Sequence, residues 1–76
     1  MSGVWVEAPT DIQGFRRFEQ VGSPYAVHGY LISGVWHWEV VKGSMWADRV
    51  VLEGFLTVDE AMEQADAMMD GCLLTA

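Results

Sequence analysis

Two groups of residues in this 76-residue chain have the types and spacing for chemistry. His37 and Glu39 alternate, so an extended backbone puts both on one face, and His28 falls across from Glu39 if the preceding apolar run pairs with theirs. Imidazole and carboxylate are metal ligands, but zinc sites draw three or four ligands from a fixed constellation and the remaining ligand is unassigned. No metal ligand and no cofactor is therefore assigned. The second group is Asp59, Glu60, Glu63, Asp66 and Asp70, with no lysine or arginine among or after them. Asp59, Glu63, Asp66 and Asp70 are four, three and four residues apart, the spacing of one helical face. At 1.5 Å per residue the stripe spans about 16 Å, with charges roughly 5 Å apart. That separation is comparable to the spacing of phosphates along a nucleic-acid strand. A protein surface built to hold nucleic acid could accept such a stripe.

The plain alternative is a solvated face that keeps a small apolar protein soluble. Against it, like charges four residues apart on a helix repel by a few tenths of a kcal/mol, about 0.2–0.5. Asp70 also stands near the helix end whose dipole favours a cation. These five acids are thus the candidate partner-binding residues. No catalytic residue is assigned. Ser23, Ser33 and Ser44 stand beside proline or glycine, where turns alone account for them, and no phosphate-cradling glycine loop is present.

The element that would position the acids is legible from end to end. Thr57 and Glu60 have the spacing of a capping box, and Gly71 suits the left-handed conformation just past a last turn. Between them Val58, Ala61, Met62, Ala65, Met68 and Met69 form an apolar stripe, continued by Cys72 and Leu73. The spacing predicts a helix over 58–70.

Upstream the pattern is extended. Val4, Trp5 and Val6 form a short β-prone run closed by Pro9. Residues 10–21 fit a helix bearing Ile12, Phe15 and Phe18 or a strand with Phe15, Arg17, Glu19 and Val21 on one face; a strand or irregular loop is favoured. Runs 25–32, 35–41 and 45–55 then predict an antiparallel meander. A two-residue turn at Ser33-Gly34 pairs Ile32 with Val35, Leu31 with Trp36, Gly29 with Trp38 and Val27 with Val40. A three-residue loop at Lys42-Gly43-Ser44 pairs Val41 with Met45, Val40 with Trp46 and Trp36 with Val50. The expected core face is Leu31, Trp36, Trp38, Val40, Trp46, Val50 and Leu52, with Asp48 as its one polar exception. The other face, carrying His28, Tyr30, His37, Glu39, Arg49, Val51 and Glu53, reads as solvated, with His37 opposite Arg49. The expected fold is a single α+β domain: an antiparallel β-meander of three or more strands covered on one face by a C-terminal helix.

Charge narrows the partner. The net charge is −7, of which residues 57–76 carry −5 and residues 1–56 carry −2, with Arg16, Arg17, Lys42 and Arg49 the only strong bases. Direct nucleic-acid binding, which draws its affinity from lysine and arginine, is disfavoured. Four tryptophans on a basic sheet could stack bases, but on an acidic one they read as core. A single cysteine, no basic segment preceding a long apolar run, and no apolar stretch of about 18 residues predict a cytoplasmic protein without a membrane span. The expected assembly is a monomer or weak homodimer.

In size and acidity, and in the W-x-W-x-V strand (Trp36, Trp38, Val40) followed by T-x-D-E-A (Thr57, Asp59, Glu60, Ala61), the chain resembles short phage and prophage proteins. It is similar in type to the small acidic proteins that phages use against host defences, including anti-CRISPR proteins that mimic DNA. The resemblance implies a non-enzymatic inhibitor that occupies a basic surface of a nucleic-acid-handling protein. A small adaptor that dimerises or docks through its sheet face is the alternative, and a metal-dependent enzyme around His28, His37 and Glu39 a further one.

Overall fold

The computed structural model describes residues 4–43 and 48–69. Their fold is α+β. Five strands, β1 (Trp5–Ala8), β2 (Phe15–Gln20), β3 (Tyr25–Ile32), β4 (Val35–Lys42) and β5 (Arg49–Phe55), form one antiparallel meander in the order β1-β2-β3-β4-β5. The helix α1 (Val58–Met69) packs against β3, β4 and β5.

The ambiguous stretch resolves as β2. Alternation along it places Phe18 opposite Val27 toward the helix and Arg17 opposite His28 away from it. The β3–β4 hairpin has the expected register, with Ile32 opposite Val35, Leu31 opposite Trp36, Gly29 opposite Trp38 and Val27 opposite Val40. Its turn residues Ser33 and Gly34 both have positive φ, 52° and 81°. That is the primed turn whose twist matches the flanking strands.

The β4–β5 pairing departs from the expected one. The connection runs over 43–48, and Lys42 pairs with Arg49, Val41 with Val50, Val40 with Leu52, Glu39 with Glu53 and Trp38 with Phe55. Two register shifts leave Val51 and Gly54 as extra residues of β5, Gly54 with φ 89°. Each bulge changes the parity of the strand, so a face assignment from a single register cannot hold along it. Val50 accordingly stands opposite Val41 on the face away from the helix and is exposed, while Val51 joins the core with Leu52. Arg49 is opposite Lys42 rather than His37, which pairs with Tyr30. The expected pairings of Met45 and Trp46 lie outside the described residues.

The core is built from Val27, Trp38, Val40, Ala61 and Ala65, all 5% exposed or less. Two alanines on one helix face bring α1 close to the sheet, and Trp5, Phe18, Trp36, Leu52, Met62 and Met68 close the margins. Burying each valine contributes about 1.5–3 kcal/mol. Thr57 Oγ1 accepts from the Glu60 amide at 3.2 Å, which supplies the expected N-terminal cap. Gly71, Cys72 and Leu73 lie outside the described residues.

The face away from the helix is not simply solvated. Ala26, His28 and Val41 are buried there, and the Phe15 ring meets His28 edge-on at 5.0 Å and Tyr30 at 5.2 Å. Asp48 sits with this group, bonded to Arg17, instead of on the core face.

Candidate acidic docking site

Because Ala61 and Ala65 face the sheet, the helix turns Asp59, Glu60 and Glu63 outward, and all three are exposed. None of them has an ion pair among the described residues. Arg16 is held by Glu7 through Nε at 2.8 Å and Nη2 at 3.1 Å, with its guanidinium 5.0 Å from the Phe18 ring centroid. That pairing lowers the Glu7 pKa. Arg17 bonds Glu19 at 2.9 Å and Asp48 at 2.7 Å. These bonds outweigh the opposing effect of burial and raise the Arg17 pKa. Both arginines of β2 are thus engaged by carboxylates outside the helix.

Asp66 has a different role from its neighbours on the stripe. It is half-buried and accepts a hydrogen bond from Gln20 Nε2, although Gln20 comes from β2 and is itself only 6% exposed. Ser23 Oγ donates to Gln20 Oε1 at 2.7 Å and accepts from the Tyr25 amide at 2.9 Å. The relay Tyr25–Ser23–Gln20–Asp66 ties the second half of α1 to the β2–β3 turn. The sequence pattern assigned Asp66 to a partner alone; a buried amide needing an acceptor is what recruits it into the fold. Asp70 lies outside the described residues.

Asp59, Met62, Glu63 and Asp66 form one side of an open groove of about 320 Å³ whose other side is Trp5 from β1. Trp5 stands opposite Gln20 on the β1–β2 ladder, so the strand register brings the indole to the helix. Its Nε1 is buried without a hydrogen-bond partner among the described residues. The groove therefore combines three carboxylates with apolar surface from Trp5 and Met62. Such a lining suits a lysine or arginine side chain, whose aliphatic stem packs while its head meets the acids. Trp5 and Gln20 were not assigned to the site from sequence. The signal was present in alternation, since Trp5 and Gln20 face the same way as Phe18, but only the β1–β2 register connects them to α1.

The histidine group divides. His28 lies across from Glu39, with Nδ1 4.0 Å from Oε2, whereas His37 faces a separate concavity with Tyr30, Ile32, Glu39 and Glu53. Among the described residues no three histidine, cysteine or acidic side chains are grouped to hold a metal. No helix among them is long and apolar enough to cross a membrane. Ser23 serves the relay and Ser33 a turn; Ser44 lies outside the described residues.

Compared with protein-family models, with curated proteins and with solved structures, the chain matches none.

Proposed function

We propose that this protein is a non-enzymatic inhibitor whose acidic helix face docks on the basic surface of a nucleic-acid-handling protein. The observation that carries this reading is that Asp59, Glu60 and Glu63 are exposed without ion pairs among the described residues, while Arg16 and Arg17 are engaged by other acids. A face with unbalanced charge gains from a cationic partner through steering and complementarity. The groove against Trp5 adds a place for one basic side chain at the centre of that face. The most specific form of the proposal is a phage anti-CRISPR protein acting as a DNA mimic, which rests on the resemblance in size, acidity and compactness.

The test is capture from a bacterial lysate on immobilised protein at low salt, followed by a rising salt gradient with and without double-stranded DNA as competitor. Recovery of basic nucleic-acid-binding proteins that elute with salt and are displaced by DNA supports the proposal. Capture unaffected by either salt or DNA removes it.

A second reading rests on the end of the β3–β4 hairpin, where Leu31, Ile32 and Val35 are 44%, 56% and 51% exposed. An adaptor that dimerises through this apolar end would form a homodimer that persists at high salt. Light scattering across a salt series separates it from the inhibitor, which behaves as a monomer.

A further inference from the structure

On the sheet face away from α1, three elements converge on one imidazole. His28 of β3 is 8% exposed; Arg17 of β2 lies directly across from it, and Asp48 approaches from the connection preceding β5. Arg17 Nη1 lies against His28 Nε2 and also donates to Asp48 Oδ2 at 2.7 Å. A guanidinium has no acceptor, so Nε2 must be the accepting, unprotonated nitrogen. The ring proton is then on Nδ1, which faces Glu39 Oε2 at 4.0 Å. Asp48 Oδ2 stands 3.8 Å from Nε2; both are acceptors while the ring is neutral and cannot bond each other, but an imidazolium N–H at Nε2 comes within reach of the carboxylate after a small movement.

We propose that Arg17, His28 and Asp48 form an acid-sensitive latch across this face, in which protonation of His28 at Nε2 withdraws the acceptor from Arg17 and transfers Asp48 to the imidazolium. The added proton comes from solvent, and no covalent bond changes. Arg17 keeps its bond to Glu19, so it has a carboxylate to retain when it leaves the ring. The groups that face His28 set the balance. Arg17 opposes the imidazolium from β2, Asp48 and Glu39 favour it, and the Phe15 and Tyr30 rings, 5.0 and 6.4 Å away, limit water access. Glu53 and His37 stand one position further out, beside Glu39 and Tyr30. Burial first and the Arg17 charge second hold the His28 pKa below its ordinary value of 6.5, with Asp48 acting the other way. The latch is thus closed at neutral pH and opens only in acid.

The experiment is a nitrogen-detected NMR titration of the histidine rings. In the unaltered protein at neutral pH, His28 should show an unprotonated Nε2 and a proton on Nδ1, and its midpoint should lie below 6.5. Arg17→Gln should move the midpoint up and Asp48→Asn should move it further down, with amide spectra confirming that each variant is folded. A His28 ring protonated at Nε2 at neutral pH overturns the proposal without recourse to any variant. A midpoint that neither substitution moves in a folded protein overturns it equally.

Discussion

The ring of Trp38 covers Gly29 directly across the β3–β4 ladder, so closely that a Cβ built on Gly29 would stand 2.6 Å from Cε3 and 2.7 Å from Cη2. The glycine is buried and the indole is 5% exposed, with Val27, Val40 and the two helix alanines as its surroundings. The ring therefore cannot withdraw without disturbing the contact that seats α1. Gly29→Ala would gain a little strand propensity and lose much more to overpacking, about 1–3 kcal/mol. The expected outcome is a fall in thermal midpoint of at least 4 °C, on the scale of about 4–8 °C per kcal/mol for a domain of this size. An unchanged midpoint would show that the ring has another place to go.

Gln20 and Asp66 should prove energetically coupled. Removing Asp66 leaves a buried amide without its acceptor, which costs about 1–3 kcal/mol, and removing Gln20 takes that donor from the Asp66 carboxylate. Chemical denaturation of Gln20→Ala, Asp66→Ala and the double variant should return a coupling of about 0.5–3 kcal/mol, the range for residues in one hydrogen-bond network. The same bond decides the outcome of Asp66→Lys. Lysine at Asp66 cannot accept from Gln20, so that variant should be less stable.

Glu39 and Glu53 oppose each other on β4 and β5. Burial, and secondarily the Glu53 charge, raise the Glu39 pKa above 4.5. A carboxyl whose folded pKa is raised costs stability as pH climbs from 4.5 through the folded value. Glu39→Gln should consequently stabilise the protein at neutral pH by about 0.2–1 kcal/mol, the range for cross-strand pairs. That advantage should fade as the wild-type carboxyl protonates on acidification. Denaturation midpoints of the two proteins that stay parallel across this range would contradict the assignment.

His28 gives a slope of opposite sign. Its folded pKa is depressed, so between that value and 6.5 the unfolded chain binds the proton and the folded one does not. Stability should rise with pH through this window and level off above 6.5. In a His28→Gln variant the rise should vanish, whatever the variant's absolute stability. Chemical denaturation at closely spaced pH values measures both slopes.

Much of this architecture was legible because it rests on local rules. The Ser33-Gly34 turn fixed one register, and with it the placement of Trp38 over Gly29 and of His28 opposite Glu39. Thr57 and the alanine spacing located the helix and its buried face. The β4–β5 pairing was not legible in the same way, because Val51 and Gly54 interrupt the alternation on which the reading depended. Nothing in the type of residue distinguishes Val51 from its neighbours, and a glycine in a strand marks a bulge only once its partner strand is placed. The relay to Asp66 was hidden for another reason. Gln20 looks like an ordinary polar strand residue until the sheet and helix enclose it, and its acceptor is far away in sequence. The acidic stripe was visible as a pattern, but which acids are free to meet a partner depended on that enclosure.

The division within the stripe gives the sharpest test of the docking proposal. Glu63 is exposed, lines the groove beside Trp5 and has no ion pair among the described residues. Glu63→Lys would place a cation one turn after Asp59, the favourable order for a helical pair, contributing about 0.2–0.5 kcal/mol. The isolated fold should therefore be equally stable or slightly more so. Binding to the basic partner recovered by salt-dependent capture should fall nonetheless, since the substitution reverses a charge at the centre of the face. The loss should appear chiefly as slower association and should shrink as salt shortens the Debye length from about 10 Å at 0.1 M toward 3 Å at 1 M. Surface plasmon resonance at two salt concentrations reads both effects. A variant that associates as fast as the wild type at low salt would mean that the helix face is only solvated, and the search would then turn to the opposite sheet face around Tyr30 and His37.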